Sequence, residues 1–117
     1  MASEHEHQVM LIKWFDMRYM CHRGRLFAIP NGGQRHVVVA SKLKAEGVRR
    51  GVPDLMLPVP MNGYHGLFIE LKKEKGRATE EQEEWLDHLN TMGYNAMLCR
   101  GFDEAKIAII NYLEVVK

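Results

Sequence analysis

The chain has 117 residues, of which 46% are hydrophobic and 26% charged. This suits one compact domain over residues 1–117 and excludes a disordered or fibrous chain. No apolar run reaches the roughly 20 residues needed to span a bilayer, and Met1 to Gln8 is acidic and His-rich with no secretory layout, so a cytoplasmic protein without a membrane partner is expected.

A net charge of +1 does not by itself announce nucleic acid. Local charge is more informative. Arg18, Arg23 and Arg25 cluster, as do Arg35, Lys42, Lys44, Arg49 and Arg50, and then Lys72, Lys73, Lys75 and Arg77, while acids concentrate at Glu80 to Glu84. This polarity fits a basic face and an acidic back, and equally an ordinary solvated surface. Cys21 and Cys99 share no metal-ligand spacing and read as reduced thiols.

Glu4 to Met20 reads as a helix, with Ser3 as N-cap and Gln8, Leu11, Ile12, Phe15 and Tyr19 on one face. Gly24 follows its end. Leu26 to Ile29 reads as a strand closed by Pro30, and Asn31-Gly32-Gly33 as a turn. Val37 to Glu46 is a short helix ending at Gly47. Gly51-Val52-Pro53 breaks the chain before a strand from Asp54 to Leu57. Asn62-Gly63 signals a hairpin. It leads into Gly66 to Lys72, the clearest strand in the sequence. Thr79 caps the next helix, with Gln82 as its capping-box partner and Trp85, Leu86, Leu89 and Met92 as its stripe. After Gly93, Tyr94 to Cys99 is a strand. Asp103 to Val116 is a closing helix with Ile107, Ile110, Leu113 and Val116 at helical spacing. The expected fold is α/β, a mixed sheet flanked by helices, with the strands around the Glu70–Cys99 unit parallel.

Side chains alternate along a strand, so Glu70 and Lys72 share a face while Leu71 points into the core. If the two strands pair as an antiparallel hairpin, Asp54 at the start of one neighbours Glu70 near the end of the other. Two adjacent carboxylates repel unless a cation lies between them. Hard oxygen ligands suit Mg²⁺ or Mn²⁺. A metal-activated water, with Lys72 supporting the phosphate, supplies what phosphodiester hydrolysis needs. Glu-x-Lys alone carries little weight, because Glu104-Ala105-Lys106 matches it within a helix. The apolar strand around Glu70 and Lys72 distinguishes the two.

His5, His7 and His22 read as surface histidines, since an i, i+2 pair diverges on a helix. Trp14 and Trp85 read as core or dimer contacts, and the methionines as core filler.

Five stretches in order resemble the VRR-NUC (virus-type replication-repair nuclease) domain of the PD-(D/E)XK superfamily. They are Pro30-Asn31-Gly32-Gly33, Gly47 to Leu55, Gly66 to Lys72, Glu81-Gln82-Glu83-Glu84-Trp85-Leu86, and Gly93-Tyr94. The resemblance covers nearly the whole chain. It implies a restriction-endonuclease-like core with Asp54, Glu70 and the backbone carbonyl of Leu71 as metal ligands. Lys72 is then catalytic and Gln82 adjoins the site. An acidic residue on the first helix commonly joins the site in this family; Glu4 and Glu6 are the candidates. Glu4 is favoured because it shares a face with Gln8, Leu11 and Phe15. Asn31, Gly32, Gly33 and Arg35, with Arg49 and Arg50, are candidate contacts to nucleic-acid phosphates.

The resemblance further implies a Mg²⁺- or Mn²⁺-dependent DNA endonuclease of the stand-alone phage or bacterial type, working at the nucleoid. Compact members resemble Holliday-junction resolvases, so a homodimer acting on branched DNA is expected, with a helicase or another replication-repair protein as a further partner. The alternatives are a non-catalytic DNA-binding or assembly module of the same fold, or a nuclease for flaps, single strands or linear duplex.

Overall fold

A computed structural model describes residues 2–30 and 37–114. The elements in chain order are α1 (Glu4–Arg18), β1 (Phe27–Ala28), α2 (Val37–Ala45), β2 (Leu55–Leu57), β3 (Leu67–Lys72), α3 (Glu80–Thr91), β4 (Asn95–Arg100) and α4 (Gly101–Leu113). A short 3-10 turn, Met20–His22, follows α1. The expected order of elements holds, with the first two strands shorter than the sequence suggested.

The sheet runs β1-β2-β3-β4. β1 and β2 pair antiparallel, as do β2 and β3, whereas β3 and β4 are parallel. Asn62 and Gly63 both take positive φ, 52° and 84°. Met61 and Tyr64 exchange backbone bonds across them, the geometry that Asn-Gly favours at a hairpin tip. The connection from β3 to β4 passes through α3, as a parallel pair requires.

β3 is buried on both faces, and its two sets of side chains enter different clusters. Leu67, Ile69 and Leu71 join Leu55, Leu57, Leu11, Phe15, Ala105, Ile109 and Tyr112 in the main core beneath α1 and α4. Phe68 joins Leu89 and Ala96 beneath α3, with Met56, Trp85 and Leu86 packed alongside. Helices therefore cover both faces of the sheet. Glu70 and Lys72 share Phe68's parity and lie on the α3 side.

α1 and α4 run side by side in the same direction. Near their starts, the Phe102 N–H donates to His7 Nδ1 at 2.7 Å. At their ends, Arg18 makes two 3.0 Å bonds to the Glu114 carboxylate, which also accepts from the Tyr19 hydroxyl. His7 thus caps the otherwise uncapped first turn of α4, and its reading as a free surface histidine is corrected. The closing helix is corrected too. Ala105, Ile109 and Tyr112 face the core, while Ile107 is 57% exposed. Several methionines taken for core filler lie at the surface: Met10, Met17, Met20 and Met92. Trp14 and Trp85 pack against the two core clusters, as expected. Cys21 and Cys99 are both free. Burial pushes the Cys99 thiol up to about 12, which leaves it protonated and inert.

β4 lies at the edge of the sheet. The Asn90 side chain bonds both the N–H and the carbonyl of Ala96, occupying positions that a further strand would take. No described helix is long and apolar enough to cross a membrane.

Candidate active site

Asp54 immediately precedes β2, whose register with β3 pairs Leu55 with Ile69. One further step along that ladder sets Asp54 beside Glu70. Two backbone groups fix its place. The Asp54 carbonyl accepts from Ile29 N–H at 2.7 Å, extending the β1–β2 pairing. Its carboxylate Oδ2 accepts from Leu71 N–H at 2.7 Å.

Glu70 is 3% exposed, which makes it the one buried charged side chain among the described residues. Its Oε2 accepts from Gln82 Nε2 at 3.2 Å and lies 3.9 Å from Lys72 Nζ. Its Oε1 is buried with no hydrogen-bond partner among the described residues. Burial, and then the neighbouring charge of Asp54, push the Glu70 carboxyl up to about 8. Burial also raises Asp54, against the lowering effect of the Leu71 N–H.

Gln82 serves two purposes. Its Oε1 accepts from Thr79 N–H at 2.8 Å while the Thr79 hydroxyl accepts from Gln82 N–H at 3.2 Å, a complete capping box. The same carboxamide turns its Nε2 to Glu70. The cap therefore orients the residue that holds a site carboxylate.

The two acidic candidates on α1 separate cleanly. Glu6 is used in a capping box with Ser3, which also lowers its carboxyl from the ordinary range. Glu4 Oε2 instead reaches the end of β3 and accepts from Lys73 N–H at 3.2 Å. Its charge is felt at both Asp54 and Glu70.

Four of the expected residues, Asp54, Glu70, Lys72 and Gln82, thus converge at the end of β3, with Glu4 beside them. Arg49 and Arg50 are exposed on the segment leading to Asp54. Asn31, Gly32, Gly33 and Arg35 lie outside the described residues. Two contributors were not foreseen as such: Ile29, read only as a strand end, acts through its N–H, and Gly51, read as part of a chain break, packs on the first turn of α3.

The donor set suits a hard divalent cation: two adjacent carboxylates, one with an unpartnered buried oxygen. Among the described residues no three His, Cys, Asp or Glu side chains gather closely enough to form a complete metal site alone. A backbone carbonyl or water would have to complete the shell.

The VRR-NUC domain matches residues 2–103 of this sequence. The chain belongs to the VRR-NUC family. A solved VRR-NUC domain protein superposes with a TM-score of 0.87 at 28% identity, over 98% of this chain and 91% of its own. The fold of this VRR-NUC chain is therefore that of a known member. Over 53 residues, 43% of the chain, it is 40% identical to the Fanconi-associated nuclease 1 homolog of Arabidopsis thaliana. The matched region is 6% of that plant protein.

Proposed function

We propose that this chain is a divalent-metal-dependent endonuclease hydrolysing phosphodiester bonds in DNA, selective for branched structures and active as a homodimer. The observation that carries the reading is the Glu70 carboxylate. It is buried with one oxygen unpartnered, beside a second carboxylate and a lysine. Such a group is costly to bury without a cation. Family membership and the plant relative's name support the nuclease part of this reading.

Asp54 and Glu70 would hold Mg²⁺ or Mn²⁺, with the Leu71 carbonyl as a third donor and Glu4 adding charge from α1. Bound there, the cation supplies Lewis acidity toward phosphate and water. Gln82 fixes the orientation of Glu70 through the hydrogen bond at 3.2 Å. Lys72 places a compact positive charge at the same edge, suited to the charge that builds on a phosphate under attack. Arg49 and Arg50, with Asn31, Gly32, Gly33 and Arg35, are proposed contacts to the DNA backbone.

The branched-DNA preference and the homodimer rest on likeness to compact members of the superfamily, in which two sites address two strands. A helicase or another replication-repair protein is the proposed further partner.

Cleavage of a labelled panel tests the reading: four-way junction, flap, single strand and linear duplex, with Mg²⁺ or Mn²⁺ and Lys72→Ala alongside. Paired symmetric nicks in the junction, lost in a folded Lys72→Ala protein, are expected. Cuts confined to flaps or single strands would overturn the junction preference. Normal cutting by Lys72→Ala would overturn the site.

A further inference from the structure

The side chains of Lys73, Lys75 and Arg77 have no part in the site described above, although they follow closely on Lys72. Immediately after β3 the chain reverses: Gly76 N–H donates to the Lys73 carbonyl at 2.9 Å, closing a four-residue turn. Both ends of that turn are held from distant parts of the chain. At its start, Lys73 N–H donates to Glu4 on α1 at 3.2 Å. At its end, the Gly76 carbonyl accepts from the Arg100 guanidinium at 3.0 Å. Arg100 terminates β4 in register with Lys72.

A run of surface lysines is usually just a solvated face. Two observations argue for more here. A solvated turn needs no anchors, yet this one is tied to α1 and to β4. Lys73, Lys75 and Arg77 are exposed, and none has an ion-pair partner among the described residues, where the ion pairs are Arg18–Glu114 and Lys72–Glu70. The backbone of the turn is held in place next to Lys72, and it carries three cations against one acid, Glu74, a balance that suits a polyanion.

The distances also fit. Lys75 and Arg77 are three and five residues beyond Lys72, at most roughly 10–18 Å along the chain. One DNA strand carries a phosphate about every 3.4 Å of helix axis, so several phosphates flanking the scissile one lie within reach.

We propose that the Lys73–Arg77 turn binds the phosphodiester backbone of the strand being cut, beside the scissile bond, and that Arg100 is its positioning residue. The contact reads phosphate and not base edges, so it is independent of sequence. This rests on the nuclease reading, and the test separates the two.

The measurement is salt-dependent binding of a labelled four-way junction and a linear duplex without divalent metal, followed by steady-state cleavage with Mn²⁺. For Lys75→Gln/Arg77→Gln, the slope of log affinity against log salt falls by about 1 to 2. KM rises while kcat and the urea midpoint stay near wild type. Arg100→Met raises KM in the same way, and Arg100→Lys, which keeps a donor for Gly76, recovers most of the loss. A wild type that cuts DNA, with unchanged slope and KM in the double variant, overturns the turn as a binding site and leaves the nuclease reading standing. A shift in the urea midpoint with no change in KM makes Arg100 merely structural. A wild type that neither binds nor cuts any DNA overturns both readings together.

Discussion

Gly51 lies against the backbone of Glu81 so closely that a Cβ built on it would come within 2.6 Å of the Glu81 carbonyl carbon. Its φ is +91°, where side chains are disfavoured in any case. The contact joins the segment carrying Asp54 to the first turn of α3, which carries Gln82. One close approach therefore sets the relative position of two elements of the candidate site.

Gly51→Ala should then do two things. The positive φ and the backbone collision together cost about 2–4 kcal/mol, read as a drop in the urea midpoint at constant m. Cleavage should fall by more than the unfolded fraction accounts for, because Gln82 and Asp54 separate. Activity proportional to the folded fraction would show that the contact serves stability alone.

Glu70 gives a pH dependence of definite sign. Its carboxyl lies near 8 in the fold against 4.5 when unfolded. Between those values the native state holds a proton that the unfolded chain releases. Stability of the metal-free protein should be greatest below about 4.5, with respect to this group, and fall as pH rises through about 8. Asp54 is raised as well and adds in the same direction. Glu70→Gln, which cannot ionise, should flatten most of the decline. Urea midpoints in chelator at several pH values between 5 and 8 provide the check, and a wild-type midpoint that climbs with pH would contradict it. Added Mn²⁺ competes with the same proton, so its stabilising effect should grow over this range.

Much of the site was legible in the sequence because it depends on short-range geometry. Strand alternation put Glu70 and Lys72 on one face, and the Asn62-Gly63 tip fixed the hairpin that brings Asp54 alongside. The Thr79–Gln82 box was likewise a local pattern. What escaped depends on packing between distant segments. α4 is apolar on more than one side, with Ala105, Ile107, Ile109 and Ile110 all available, so period alone could not choose its buried face. Packing against α1, β3 and β4 chose it, leaving Ile107 outside. His7 looked like a surface residue because its partner, the Phe102 N–H, is 95 positions away. The Gly51–Glu81 and Arg100–Gly76 contacts are hidden for the same reason. The exposed methionines show that an apolar type alone does not assign burial.

Glu4 and Glu6 are two residues apart, and the structure gives them separable roles. Glu6 belongs to the Ser3 capping box. Glu6→Ala should lower stability slightly, through loss of the bond to Ser3 N–H, and leave metal dependence unchanged. Glu4 faces the site: it holds Lys73 N–H, and its charge reaches Asp54 and Glu70. Glu4→Gln should therefore raise the Mn²⁺ concentration for half-maximal cleavage by about tenfold, the scale seen for groups that support metal ligands. The same substitution weakens the anchor of the Lys73–Gly76 turn, which would appear as a higher KM for DNA. Titrating metal at saturating DNA, and DNA at saturating metal, distinguishes the two effects. A change confined to the DNA titration would make Glu4 a support for the turn and remove it from the proposed metal site. A change in metal dependence for Glu6→Ala of equal size would reverse the assignment.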